Sequence, residues 1–281
     1  MAEYHRPVAL SDALALLGRG PVTVAAGCTD LFPGIDGPAL RGPVLDITAI
    51  DGLRGIEASA EGWRIGATTT WSDLLAADLP PAFDMLKAAA REVGSVQIQN
   101  TGTVAGNLCN ASPAADGVPP LLALDASVEL TSTQGTRALP LERFLTGVRQ
   151  TGRAASEMVT AVTVPRRAGA GVSRFLKLGA RRYLVISIAM IAARLVLRDG
   201  RIAEAALAVG ACSPVARRLP ALEARLAGLS PAQAAEAIDP DLVAAAIAPI
   251  DDIRADAGYR SAAATELLRR ALADLAAGAA P

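Results

Sequence analysis

The sequence has few of the residues from which enzymes build catalytic and metal centres of their own. It holds one histidine, His5, and three cysteines, Cys28, Cys109 and Cys212, with no CxxC pair. A zinc site or a Ser-His-Asp triad would lack its usual parts, and three thiols cannot supply the four thiolates of an iron–sulfur cluster. If the chain takes part in redox chemistry, a bound organic cofactor must carry that chemistry.

Other absences bear on location and partners. The odd and sparse set of cysteines suits a reducing cytoplasm, and the N-terminus shows no secretory signal, so we expect a cytoplasmic protein. No apolar run reaches membrane-spanning length, and a net charge of −1 gives no reason to expect nucleic acid or an anionic membrane as a partner. Hydrophobic residues make up 52% of the 281 residues, which is enough to bury one large domain or two to three small ones.

The common phosphate-binding signatures are missing too. There is no GxGxxG after a predicted strand and no GxxxxGK[ST], and neither of the two lysines, Lys87 and Lys177, follows a glycine. The sequence therefore does not predict a Rossmann or P-loop nucleotide site.

What is present is a long run of small hydrogen-bonding residues, QIQNTGTVAGNLCNASPAAD, at residues 97–116. Glycine permits close backbone approach, and Asn and Thr bond to nearby backbone, so such a run can wrap N–H groups around an anion. A long surface loop has the same composition. A second small-residue turn at residues 25–31, directly after a short predicted strand, favours the anion site.

The predicted elements are short strands separated by helices, which favours an α+β fold. The best linker candidate is the segment 166–171. Beyond it, strands predicted at 172–178, 186–197 and 201–210 make a three-stranded sheet backed by helices, the last at 256–277. We therefore predict a first domain over residues 1–170, divided near residue 55, and a smaller C-terminal domain over residues 171–281.

Three motifs, in this order, resemble those of a known family. Ala26-Gly27-Cys28-Thr29-Asp30-Leu31 resembles AGGTDL, Thr103-Val104-Ala105-Gly106-Asn107 resembles TIGGN, and residues 111–116 resemble the ASPxxD that follows it. Together they resemble the FAD-binding medium subunit of the molybdenum hydroxylases, the family of xanthine dehydrogenase, carbon monoxide dehydrogenase and aldehyde oxidoreductases. The resemblance covers essentially the whole chain. It implies an α+β fold with a two-part FAD-binding domain of the vanillyl-alcohol-oxidase (PCMH) type and a smaller C-terminal α+β domain.

The resemblance also implies where FAD binds. The two glycine-rich turns would hold the diphosphate through backbone N–H groups, Asp116 would contact the cofactor and Lys177 would lie near the flavin. Met158 or Val159 would lie at the ring system, and Val93 beside the isoalloxazine. The implied cofactor-binding residues are Val24, Ala25, Ala26, Gly27, Cys28, Thr29, Asp30, Leu31, Val93, Thr103, Val104, Ala105, Gly106, Asn107, Asp116, Met158, Val159 and Lys177.

Three positions depart from the family pattern. Cys28 replaces the second glycine of AGGTDL and Ala105 the first glycine of TIGGN, and each adds a side chain where glycine allows close approach. Because both side chains are small, we expect small shifts. Gln99 stands where many relatives have arginine, which removes a positive charge whose partner the sequence does not identify.

By this resemblance the chain is the flavoprotein subunit of an oxidoreductase and needs no catalytic acid or base of its own. A large subunit with a molybdopterin-type cofactor would hydroxylate the substrate, and a small subunit with [2Fe-2S] clusters would pass electrons to this FAD, in a dimer of heterotrimers. The flavin would then reduce an external acceptor such as NAD⁺, a quinone or oxygen.

Two alternatives remain at the level of sequence. The first is a stand-alone small FAD-dependent oxidoreductase, for which this histidine-poor chain offers little acid or base. The second is a flavin-free interaction subunit, of which Cys28 and Ala105 would be the first signs. The retained Thr29, Thr103 and Asp116 argue against that second alternative.

Overall fold

A computed structural model describes residues 3–35, 37, 40–182 and 184–278. The strands, in chain order, are β1 (Tyr4–His5), β2 (Thr23–Ala25), β3 (Val44–Asp46), β4 (Ile56–Ala58), β5 (Gly62–Gly66), β6 (Ser127–Ser132), β7 (Gly135–Pro140), β8 (Leu145–Gly147), β9 (Gln150–Thr151), β10 (Met158–Pro165), β11 (Val172–Leu178), β12 (Ala189–Arg198), β13 (Arg201–Gly210) and β14 (Arg217–Arg218). The α-helices are α1 (Leu10–Leu17), α2 (Trp71–Ala76), α3 (Asp84–Glu92), α4 (Val96–Thr101), α5 (Val104–Asn110), α6 (Val118–Ala123), α7 (Leu141–Phe144), α8 (Pro220–Leu226), α9 (Pro231–Glu236), α10 (Pro240–Ala246) and α11 (Ala257–Gly278). Short 3₁₀ turns occupy 81–83 and 166–169.

The N-terminal part is a small parallel sheet in the order β1-β3-β2. Helix α1 covers it, because Leu14 and Leu17 recur at helical spacing and pack in one buried cluster with Leu45 and Ile47. Strand β2 ends at Ala25, and the chain turns at once into residues 26–34. The first small-residue turn therefore projects from the carboxyl edge of this parallel sheet.

An antiparallel five-stranded sheet, in the order β4-β5-β10-β6-β7, follows. The sequence Thr70-Trp71-Ser72-Asp73 predicts a capping box, with Asp in place of the more usual Glu, and the structure contains it at the start of α2: Thr70 accepts from the Asp73 N–H, and Asp73 accepts from the Thr70 N–H. Helices α2, α3, α5 and α6 bury apolar residues in the same core cluster as this sheet, which is the largest cluster among the described residues. Within that core, Trp63 and Phe83 meet edge to face with ring centroids 5.0 Å apart.

The small-residue run at 97–116 is not a long loop. It contains most of α4 and all of α5, two short helices joined at Gly102. Thr103 is the N-cap of α5, and its side-chain oxygen accepts from the Gly106 N–H over 3.0 Å. Tertiary bonds hold the junction in place, because the Trp71 N–H donates to the Gly102 carbonyl and the Val104 N–H to the Thr69 carbonyl. These bonds offset the low helix propensity of the Gly, Asn and Thr residues.

The C-terminal part has one more strand than the sequence predicts. The three predicted strands pair antiparallel as β11-β12-β13, and the two-residue strand β14 extends the sheet to four. The sequence pattern places β14 inside a helix over 214–226, but that helix begins only at Pro220, since proline favours the first helical position. The long helix α11 buries Ala264, Leu268 and Leu272 in a second apolar cluster, together with residues of β12 and β13.

The sheets change from parallel to antiparallel between β3 and β4, close to the predicted division near residue 55. The domain limits themselves stay a prediction. Among the described residues, no helix combines the length and the apolar character that crossing a membrane requires.

Candidate functional site

A cavity of about 890 Å³ lies where the first turn, helix α5, the start of β10 and the segment 184–186 meet. All of the cofactor-binding residues that the sequence predicts line it, except Ala25, Val104 and Lys177. The fold therefore brings together motifs that are far apart in the sequence.

The first turn presents a run of unused backbone donors. In the described chain, the N–H groups of residues 27–31 make no hydrogen bond to another residue. Consecutive free N–H groups of this kind form a concave anion-binding nest. The turn is also pressed against the second motif: a Cβ on Gly27 would lie 1.9 Å from the Thr101 carbonyl oxygen and 2.9 Å from the Gly102 Cα. Only glycine fits at position 27.

Cys28 has a backbone φ of 58°, in the left-handed region. A residue with a Cβ is strained there, and glycine is not. Position 28 therefore favours glycine for its backbone conformation and not for close approach alone. The half-buried thiol donates to the Ala26 carbonyl over 3.3 Å, and burial raises its pKa.

The second motif presents fewer free donors than the first. In the first turn of α5, the Val104 N–H donates to the Thr69 carbonyl, the Gly106 N–H to the Thr103 hydroxyl and the Asn107 N–H to the Thr103 carbonyl. The Ala105 N–H makes none of these bonds. The two motifs that the sequence predicts to present N–H groups therefore differ in the structure, with most free donors in the first turn.

The departure at Ala105 is well accommodated. Its methyl group is buried inside α5, where alanine is a better helix former than glycine. Gly106 cannot be replaced in the same way, since a Cβ there would lie 2.6 Å from the Thr103 hydroxyl that caps the helix.

One buried polar atom lacks a partner on the cavity wall. The side-chain oxygen of Asn107 is buried and makes no hydrogen bond. A buried acceptor without a donor is costly, and a bound group that donates a hydrogen bond would satisfy it. This orphaned oxygen and the free N–H run together fit a ligand that combines anionic and hydrogen-bonding groups, as FAD does.

Asp116 lies on the cavity wall, and two side chains that do not line the cavity donate hydrogen bonds to its carboxylate. Lys177 donates to one carboxylate oxygen over 2.9 Å, and the Ser187 hydroxyl donates to the other over 3.0 Å. Burial raises the pKa of Asp116, while the ammonium and the hydroxyl oppose that rise. Lys177 itself does not line the cavity, so it acts on the site through Asp116.

The apolar residues of the site lie at two element ends. Val93 follows the last residue of α3, and Met158 and Val159 open β10. Strand β10 has an irregularity at Thr160, because Val159 pairs with Leu130 and Ala161 with Glu129. Both Met158 and Val159 line the cavity.

Several lining residues carry no sequence signal of their own. Arg149, Arg153 and Cys109 line the cavity, as do residues 184–186. Cys109 is exposed on the cavity wall, and desolvation by the protein atoms around it raises the pKa of its thiol to about 11. Gln99 is buried and donates to the Arg91 carbonyl over 3.1 Å.

Comparison with known proteins identifies the family. Residues 1–167 match the family model of the FAD-binding domain in molybdopterin dehydrogenase, and residues 174–275 match that of the CO dehydrogenase flavoprotein C-terminal domain. The chain therefore belongs to the FAD-binding family of the molybdopterin dehydrogenases. The family and the mixed α/β architecture predicted from the motifs are confirmed.

Relatives of known activity agree. The chain is 32% identical over 282 residues to the medium subunit of nicotine 6-hydroxylase from Paenarthrobacter nicotinovorans, covering 96% of each chain. It is 33% identical to the xanthine dehydrogenase FAD-binding subunit of Escherichia coli O157:H7, covering 76% of this chain and 75% of that one. These relatives are subunits of oxidoreductases.

A solved structure has the same fold. Carbon monoxide dehydrogenase from Hydrogenophaga pseudoflava, in a form that lacks the Mo-pyranopterin moiety, superposes with a TM-score of 0.91 at 29% identity. The match covers 99% of this chain and 98% of the other.

Proposed function

We propose that this chain is the FAD-carrying electron-transfer subunit of a cytoplasmic molybdenum hydroxylase. It takes electrons from a [2Fe-2S] subunit and passes them to an external acceptor such as NAD⁺ or a quinone. Its partners are a large subunit with a molybdopterin-type cofactor and the small iron–sulfur subunit, assembled as a dimer of heterotrimers. Bound FAD supplies the redox chemistry, and the protein supplies placement and electrostatics.

The observation that carries the proposal is the convergence of the two motifs on one cavity. The N–H run of residues 27–31 binds the FAD diphosphate, with the Ala105 N–H at the start of α5 as a further donor. Two of the predicted binding residues, Ala25 and Val104, do not line the cavity, so their part is to support the backbone of the two motifs.

The remaining residues divide between orientation and exclusion of water. Asp116 accepts hydrogen bonds from the cofactor at a position fixed by Lys177 and Ser187. Val93, Met158 and Val159 pack against the ring system and keep water from it.

The first experiment is a visible absorption spectrum of the purified chain, followed by release and chromatography of the bound cofactor. We expect a flavin spectrum and FAD. A colourless protein that takes up no added FAD would contradict the proposal and favour a flavin-free interaction subunit. An active lone oxidase would favour the stand-alone oxidoreductase instead, whereas co-purifying molybdenum and iron–sulfur subunits support the proposed complex.

The variant Asn107→Ala tests the cavity itself. It removes a buried oxygen that lacks a partner in the apoprotein, so the free energy of unfolding of the apoprotein should hold or rise, while FAD binding weakens by about tenfold. Asn100→Ala is the matched control, because Asn100 is exposed on α4 and does not line the cavity. Unchanged FAD affinity in Asn107→Ala would place the cofactor elsewhere.

A further inference from the structure

Two arginines, Arg149 and Arg153, line the wall of the cavity. Hydrogen bonds to the last residue of α5 account for the position of Arg149. Arg149 is exposed, and its guanidinium donates to the carbonyl oxygen of Asn110 over 3.2 Å and also to the Asn110 side-chain oxygen. It thereby supplies donors and positive charge at the carboxyl end of α5, a common role for arginine.

Arg153 is half-buried and is fixed differently. One terminal nitrogen of its guanidinium donates to the Glu157 carbonyl over 2.6 Å and to the Ala154 carbonyl over 3.2 Å. Its other N–H groups make no hydrogen bond to a described residue. The two carbonyls thus set the direction of the guanidinium and leave part of its donor edge unused.

Nearby carboxylates do not neutralise Arg153 fully. Glu157 is close enough that Arg153 helps to keep the pKa of Glu157 below its ordinary value, but the main cause of that shift is Arg137. Arg137 donates to both carboxylate oxygens of Glu157, over 2.5 and 2.8 Å. Two cations therefore share one carboxylate, and one positive charge remains beside the cavity.

Free guanidinium donors on a cavity wall can bind an anionic or oxygen-rich group that enters the cavity. The cavity needs such a cation as well. Its wall carries the carboxylates of Asp30, Glu92, Asp116 and Glu157, of which Asp116 is paired with Lys177 and Glu157 with Arg137. A negatively charged dinucleotide entering this cavity meets more acidic than basic groups, and the unneutralised Arg153 offsets part of that repulsion.

We propose that Arg153 is a binding residue for the cofactor, with its free N–H groups donating to an oxygen-rich group of the bound dinucleotide. This inference rests on the proposed function. Two groups of FAD have the required chemistry: the diphosphate, and the carbonyl edge of the flavin ring. In both cases the bond is charge-assisted, so the charge of Arg153 matters as well as its N–H groups.

The test uses the purified full chain after removal of its cofactor. FAD, ADP and riboflavin are titrated into wild type, Arg153→Gln and Arg153→Lys. Because a hydrogen bond to a charged group contributes about 1.5–3 kcal/mol, Arg153→Gln should bind FAD at least about tenfold more weakly. Arg153→Lys, which keeps the charge, should recover part of the loss. Arg143→Gln is the matched control, since Arg143 is exposed on α7 and does not line the cavity.

The two smaller ligands tell the two groups of FAD apart. A loss confined to ADP places the Arg153 contact at the diphosphate, and a loss confined to riboflavin places it at the ring; both support the proposal. Equal affinity of Arg153→Gln and wild type for all three ligands overturns it.

Thermal unfolding of the apoproteins shows whether a loss is only structural. If Arg153→Gln does not fold, Arg153→Lys takes its place in the titrations, because lysine retains a cation at the turn. A wild-type chain that binds no FAD would instead refute the proposed function, which distinguishes the two failures.

Discussion

Lys177 donates a hydrogen bond to Asp116 over 2.9 Å, and both side chains are almost withdrawn from solvent, at 6% and 12% exposure. The pair joins β11 of the C-terminal sheet to the segment that follows α5. The cavity wall is therefore held to the C-terminal part of the chain by this buried ion pair, by the Ser187 hydroxyl and by the Ala211 N–H, which donates to the Pro113 carbonyl.

Breaking this pair from one side should be strongly destabilising. Lys177→Met leaves Asp116 buried without its cation, and we expect the free energy of unfolding to fall by about 3–5 kcal/mol in urea denaturation. The double variant Lys177→Met with Asp116→Asn should recover most of that loss. Arg174→Met is the control on the same strand: its exposed pair with Asp274 should contribute less than about 1 kcal/mol. Equal losses at Lys177 and Arg174 would contradict the buried-pair interpretation.

The left-handed backbone at Cys28 predicts a stabilising substitution. Cys28→Gly should raise the free energy of unfolding by about 1 kcal/mol, because glycine adopts a φ of 58° without strain. Cys28→Ala removes the thiol but keeps the Cβ, so it should bring no such gain. If Cys28→Ala stabilises as much as Cys28→Gly, the thiol rather than the backbone is the source of the strain.

Part of the stability that the protein loses in acid should come from protonation of Asp252. Its carboxylate accepts from the backbone and side chain of Arg254 and from the buried Arg260, and these bonds lower its pKa from 3.8 to about 2. Because the folded state holds this proton less tightly than the unfolded state, the contribution of Asp252 to stability is complete above pH 3.8. That contribution is lost as the pH falls through about 2. Denaturation midpoints measured between these pH values should fall less steeply in Asp252→Asn than in wild type, whereas Asp78→Asn should follow wild type.

Cys109 should report whether the cavity is filled. Its thiol faces the cavity, and its pKa of about 11 leaves little thiolate at neutral pH. Alkylation of the apoprotein should therefore be slow at pH 7.5, accelerate as the pH rises, and be suppressed by saturating FAD. Peptide mass mapping separates Cys109 from Cys28, and buried Cys212, with a thiol pKa of about 12, serves as the unreactive reference. Alkylation of Cys109 that FAD leaves unchanged would place the cofactor away from α5.

The sequence predicts best those elements whose conformation depends only on residues close together in the chain. The capping box at Thr70, the strands Val172–Leu178 and Arg201–Gly210, and the hairpin turn at Asp199-Gly200 follow from turn residues and periodicity, and the structure contains all of them. The two small-residue motifs are recognisable as a pair, because a second turn of the same kind follows a short predicted strand and the motifs occur in the order of the family pattern.

Other parts of the site depend on tertiary placement. Helix α5 has a composition that disfavours a helix, and bonds from distant residues such as Thr69 decide its conformation. Ser187 and Arg153 are ordinary polar residues in the sequence, and only the folded chain brings one to Asp116 and the other to the cavity wall. The fourth strand of the C-terminal sheet is two residues long, which is too short for any periodic pattern.

The contact between Gly27 and the Thr101 backbone has a consequence for how a ligand enters. Because main chain rests on main chain there, no side-chain rotation can separate the two motifs, and their spacing is already set before anything binds. The entropy of arranging the donors is thus lost during folding of the chain rather than at the encounter with the ligand. Association should then be a docking step whose rate is governed by diffusion and charge, with little reshaping of the protein.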